Sequence, residues 1–150
     1  MHQPDSQPGP PPGRLVVLTD QECWDLLRTR PVGRIAWSGA QGVSVIPVNY
    51  AVAEGVVALR TTPYSLLARD AADREVAFEV DDVAIGAHGG WSVLVRGRCR
   101  RVHRAAVRPE PWVTGARVLD LQVDVASVSG RRLLAAAPRP PQSEGAFFTA

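Results

Sequence analysis

Between Val43 and Thr62 the chain alternates apolar and polar positions in two runs that meet at Glu54-Gly55, the period-two signature of strands half buried in a sheet. Pairing the runs as a hairpin with Ala53 opposite Val56 assigns every side chain to a face. Ile46, Val48, Tyr50, Val52, Val57, Leu59 and Thr61 form an apolar face that should point into a core. Pro47, Asn49, Ala51, Ala58, Arg60 and Thr62 form the other, with Asn49 opposite Arg60. That second face suits either an ordinary solvated strand surface or a surface kept open for a flat ligand.

The same patterning extends along the chain. Leu15 to Leu18 reads as a short edge strand, and Thr19-Asp20-Gln21-Glu22 has capping-box spacing, with Leu18 placed to staple onto Cys23. A helix of about ten residues follows, burying Cys23, Trp24, Leu26 and Leu27 and stopped by Pro31. Val32 to Trp37 is a strand that turns through Ser38–Gly42 into the hairpin. Thr62 as N-cap and Pro63 at the first helical position predict a short helix over 63–72. Arg74 to Asp81 and Trp91 to Val102 alternate as strands around a glycine-containing loop, Val83 to Gly90. After a loop at Pro109 to Gly115, Arg117 to Val125 is a strand, and Ser129-Gly130 reads as a turn into a short last strand. The tally is a mainly β chain, a six- to seven-stranded antiparallel barrel with two short helices.

Composition sets the boundaries of this domain. The segment 1–14 holds five prolines and two glycines with almost nothing apolar, so it cannot offset the entropy of ordering and is expected to be a disordered tail. The segment 15–137 forms one domain, and 138–150 is a second flexible tail in which Phe147 and Phe148 offer docking groups. Net charge is +2, and all 17 basic residues are Arg. Arg96, Arg98 and Arg100 share a strand face that suggests a phosphate or nucleic-acid patch, but pairing with Glu79 and Asp81 across the sheet is the simpler account. No nucleic-acid partner is therefore expected. Cys23 and Cys99 lie too far apart for metal or redox spacing, and read as buried small groups in a reducing compartment. No run approaches the ~18 apolar residues of a membrane span, and the N-terminus lacks a signal-peptide core, so a cytoplasmic location away from membranes is expected.

Candidate chemistry is narrow. His2, His88 and His103 sit apart, with no metal-ligand spacing and no nucleophile elbow, so a metal or triad enzyme is not expected. Asp81 and Asp82 are adjacent on a strand and point to opposite faces, which disqualifies them as paired carboxylates. The strand-to-helix corner from Arg60 to Ser65 combines a fixed cation, the Thr62 and Ser65 hydroxyls and free backbone N–H groups, and suits a phosphate. A capped helix beside a surface arginine accounts for the same residues.

Taken in order, VGRIAW, VIPVNY, ALRTTPYS, VAFEVDD, GWSVLVRGR and VSGRR make the chain, over roughly 18–134, resemble the pyridoxamine 5′-phosphate oxidase-like, FMN-binding split-barrel family, especially its short actinobacterial-type members. The resemblance implies a split β-barrel homodimer with FMN at the subunit interface and a small-molecule substrate. It puts Val48, Asn49 and Tyr50 against the isoalloxazine ring, Arg60, Thr61, Thr62 and Ser65 on the ribityl phosphate, and Trp91 and Ser92 at the approach from the interface. The register instead turns Tyr50 and Thr61 inward. Family members commonly carry Lys directly after the position of Ser65, where this chain has Leu66. Losing one charge-assisted contact of ~1.5–3 kcal/mol would weaken FMN about ten- to hundredfold unless Arg69 compensates. The implied function is an FMN-dependent oxidoreductase acting on a small conjugated or heteroaromatic acceptor. An F420-dependent or nitroimidazole-type reductase, or a non-catalytic flavin- or haem-binding or sensing module, stays open.

Overall fold

A computed structural model describes residues 12–136. The expected N-terminal tail therefore falls outside the described residues except for 12–14, and of these Arg14 already opens the first strand. The expected C-terminal tail, with Phe147 and Phe148, also lies outside them.

The elements run β1 (Arg14–Leu18), α1 (Asp20–Leu27), β2 (Val32–Gly39), β3 (Gly42–Ala53), β4 (Val56–Thr61), a π-helical turn (Leu67–Ala71), β5 (Glu75–Ala84), β6 (Gly89–Val102) and β7 (Leu119–Leu134). All pairings are antiparallel, in the order β1-β7-β4-β3-β2-β5-β6, and β6 pairs with β7 to close the ring. This is a mainly β antiparallel barrel of seven strands, as the alternation implied, and a split one, as the family resemblance implied.

The hairpin adopts the expected register from Ala53 opposite Val56 to Tyr50 opposite Leu59, with Gly55 at φ 71° in the turn, but the pairing ends there: Asn49 lies opposite Val32 and Arg60 opposite Asp120, not opposite each other as expected. Its inward face closes the core: Tyr50, Val57, Leu59 and Thr61 are buried, and Tyr50 meets Phe78 edge to face at 4.8 Å between ring centroids. Ile35, Val80, Val93, Val95, Leu121 and Val123 complete the barrel interior, and Cys23 and Leu27 of α1 plug one end.

Helix α1 starts as predicted. Thr19 accepts from the Glu22 backbone N–H, while Glu22 accepts from that of Thr19 at 2.8 Å. It ends earlier than Pro31 would require. Arg28 and Thr29 donate back to the Asp25 and Leu26 carbonyls, so the chain has left the helix before the proline arrives. Trp24 and Leu26 are only partly buried against the core.

Four expectations are corrected. Ser129-Gly130 is not a turn, because β7 runs unbroken through it and pairs with β6 on both sides of a bulge at Ala126. Gly130 serves close packing instead: a Cβ there would lie 2.7 Å from Cys23 Sγ and 2.9 Å from Leu18 Cδ1. The 83–90 loop shrinks to a tight turn, since Val83 pairs with Gly90 and Ala84 with Gly89. The arginines of β6 do not pair with Glu79 and Asp81. Arg34 of β2 reaches both of those at 3.3 and 3.0 Å, while Arg98 meets Glu75 and Arg100 meets Asp124. Finally, the helix over 63–72 is replaced by the π-helical turn, for which the Ser65 hydroxyl rather than Thr62 accepts the Ala68 N–H, at 3.0 Å.

One feature of the pairing positions a site. Residues 42–49 of β3 run along β2, whereas 50–53 run along β4. Past Leu59, β4 pairs on with β7, Arg60 opposite Asp120 and Thr61 opposite Leu119. A wedge therefore opens between the middle of β3 and the end of β4, and the barrel is split there.

Candidate functional site

The wedge holds a pocket of about 340 Å³. Ile46, Pro47, Val48 and Asn49 of β3 form one wall, and Arg60, Thr61, Thr62 and Ser65 form the other. Leu67 of the π-helical turn and Pro109, Pro111, Val113 and Arg117 of the loop between β6 and β7 supply the remainder.

Each polar group has a defined geometry. Thr61 is buried, yet its Oγ1 reaches the pocket wall and donates to Ser65 Oγ at 2.9 Å. Asn49 Oδ1 accepts the Trp112 N–H at 3.0 Å, and its Nδ2 donates to the Pro31 carbonyl at 3.3 Å, so this side chain ties the loop to β3. Arg60 Nε donates to Asp120 Oδ1 at 3.0 Å. Asp120 Oδ2 accepts from Arg108 Nη2 at 2.9 Å and from the Ala105 N–H at 3.4 Å.

Asp120 is only 3% exposed. Burial pushes its pKa up, but the Arg108 hydrogen bond, the Ala105 N–H and the charges of Arg108 and Arg60 outweigh it and hold the carboxyl below its ordinary value. The carboxylate is thus a fixed anion that orients two guanidiniums.

The residues expected in the site divide clearly. Val48, Asn49, Arg60, Thr61, Thr62 and Ser65 line this one pocket. Tyr50 does not: it is 5% exposed, points into the barrel, and donates its hydroxyl to the Leu27 carbonyl at 2.6 Å. Burial raises that phenol to about 12, so it is a structural donor rather than an acid. Behind it, a wider concavity of about 400 Å³ lies between the end of α1 and Tyr50–Val52, with Arg30 engaged by Asp82 and Arg28 by Asp25. Trp91 and Ser92 line a different, shallower surface with Leu15, Val83 and Leu133.

Leu66 is 51% exposed and outside the pocket. Arg69 does not compensate. It stands 65% exposed, with its guanidinium on Asp70 at 3.0 Å, because the π-helical turn carries it to solvent. The second pocket guanidinium is Arg117, which together with Arg108 and Asp120 escaped sequence reasoning. The signal for them was a long, proline-bearing connection without regular structure between two strands, which in a compact domain tends to be functional.

Comparison with known proteins accords with this architecture. A family model described as pyridoxamine 5′-phosphate oxidase matches residues 19–132. The uncharacterized protein Rv0080 of Mycobacterium tuberculosis is 32% identical over 137 residues, covering 84% of this chain and 90% of that one. Among solved structures, the FAD binding protein from Mycobacterium smegmatis is 31% identical with a TM-score of 0.67, over 79% of this chain and 98% of that one. An FAD-binding protein from Mesorhizobium loti, at 20% identity, TM-score 0.61 and coverage of 81% and 98%, shares the fold.

Proposed function

The chain belongs to the pyridoxamine 5′-phosphate oxidase family, and from that premise we propose that it is a flavin-binding protein, an FMN-dependent oxidoreductase acting on a small conjugated or heteroaromatic acceptor. The observation that carries this reading is the pocket in the barrel split, whose lining combines the guanidiniums of Arg60 and Arg117 and the hydroxyls of Thr61, Thr62 and Ser65 with the apolar Ile46, Pro47 and Val48. That donor set fits the phosphate-bearing tail of a flavin, with the apolar wall beside the ring system.

When bound, the flavin supplies the hydride or electron transfer, and the protein binds and orients it. Arg60 holds charge at a place fixed by Asp120, Thr62 and Ser65 offer hydroxyls, and Asn49 keeps the covering loop against β3. At about 340 Å³ the pocket lies near the lower end of the ~300–1,000 Å³ typical of ligand sites, so a whole flavin needs a further wall. A homodimer supplies one. Trp91 and Ser92 lie on a surface with exposed Leu15, Val83 and Leu133, which a second copy would cover. Cys23 and Cys99, both free and buried, accord with a reducing, cytoplasmic setting. No helix among the described residues is long and apolar enough to cross a membrane.

The 31% identity to a protein named for FAD favours a second reading in which the cofactor is FAD. Purification followed by denaturation and identification of the released chromophore by absorbance and mass spectrometry decides between them. FMN supports the first reading and FAD the second. A colourless protein that binds neither, nor added F420 or haem, overturns both. Bleaching of the bound flavin by a nicotinamide or deazaflavin donor, followed by reoxidation with an acceptor, separates an enzyme from a carrier.

A further inference from the structure

We propose that Arg117, carried on the loop between β6 and β7, is the second cation of a phosphate-binding pair with Arg60, and that this preformed loop covers the phosphate monoester end of the ligand. The inference rests on the flavin reading of the same pocket.

Charge points to a dianion. Arg60 and Arg117 are the charged residues of the pocket lining, and Asp120, which engages Arg60, is balanced from outside the lining by Arg108. Glu110, the acid on the loop itself, is exposed and outside the pocket lining. Arg117 is half-buried and has no carboxylate partner among the described residues. The excess of two positive charges matches a phosphate monoester, which carries close to two negative charges at pH 7.

Hydrogen bonding points the same way. Asp120 engages Arg60 through Nε, so the two terminal nitrogens of that guanidinium are left to face a ligand oxygen. Ser65 Oγ already accepts from Thr61 Oγ1 and from the Ala68 N–H, which leaves its own hydroxyl hydrogen to donate.

The loop is also held in advance. It has no regular structure from 103 to 118, yet it is fixed at Ala105 and Arg108 by Asp120 and at Trp112 by Asn49. Arg117 lies between the second tether and the start of β7 at Leu119. Its backbone is therefore placed before binding, and less entropy is lost when an anion arrives.

The test compares FMN with riboflavin, which lacks the phosphate, in fluorescence titrations of the full-length wild type, R117Q and R117K, with thermal melts to establish that each variant is folded. The expected result is a loss of FMN affinity of about ten- to a hundredfold in R117Q. Riboflavin affinity changes less than about twofold on the same scale, and R117K restores part of the FMN affinity. Unchanged FMN affinity in R117Q, or an equal loss for both ligands, overturns the inference and leaves the flavin reading standing. If the wild type binds neither flavin, the flavin reading fails. Calorimetry with inorganic phosphate then decides the anion site: binding that is lost in R117Q supports it, and no binding to the wild type overturns it.

Discussion

Two arginine–carboxylate groups on the same barrel show how a covering loop changes what one kind of pair does. On the outer wall, Arg34 reaches Glu79 and Asp81 across the sheet, and Arg100 meets Asp124, all with a third or more of each side chain in water. At the split, Arg60 and Arg108 hold an Asp120 that is 3% exposed, though it too lies on the outward face of its strand. Strand alternation gives the two carboxylates the same orientation. The loop over 103–118 buries one of them, and only there is the ion pair held out of water, beside the pocket that Arg60 lines.

The sharpest way to break this contrast is D120A. It leaves two guanidiniums without their shared counterion and removes the tether of Ala105 and Arg108, with an expected cost of roughly 2–4 kcal/mol in chemical denaturation. A cost no larger than that of an outer-wall variant would mean that Asp120 is no scaffold.

Acid titration probes the same carboxyl. Its folded pKa lies below the ordinary aspartate value, so its contribution to stability is fully present above about pH 4 and is lost as pH falls through the depressed folded value. Asp124 is shifted the same way, chiefly by the Arg100 hydrogen bond. Denaturation curves collected from pH 5 downward should therefore show wild-type stability declining more steeply below about pH 4 than that of D120N. Parallel declines would remove Asp120 from the account.

A smaller effect is expected for N49A, which deletes the Trp112 tether at a cost of about 1 kcal/mol. Hydrogen exchange is the better measurement: the Trp112 amide should lose protection while the amides of β3 and β4 keep theirs. The smallest effect belongs to R34A, whose pairs are exposed. Its melting temperature should match the wild type within error at 0.15 M salt, where exposed pairs are screened.

Much of the barrel was legible because its cues are local. The Thr19–Glu22 capping box, the Glu54-Gly55 turn and the period-two runs each act within a few residues, and all three appear as read. The corner after β4 was legible in membership but not in form. Thr61, Thr62 and Ser65 do line the pocket, while the helix expected there gave way to a π-helical turn because the Ser65 hydroxyl satisfies Ala68. Gly130 misled for a different reason. Beside Ser it resembled a turn, whereas its role is to let Cys23 and Leu18 pack onto β7.

By itself the sequence determined most of the strands and their faces, the hairpin register next to its turn and most of the pocket wall carried by β3 and β4, since alternation, capping and turn preference are properties of neighbouring residues. The tertiary structure alone decided where the barrel splits, that Asp120 is buried on an outward face, that Tyr50 turns to Leu27, and that Arg117 lines the same pocket as Arg60. These depend on which strand β4 chooses beyond Leu59 and on where the loop over 103–118 comes to rest. Both are long-range choices, set by burial and charge pairing between segments that the chain itself keeps far apart.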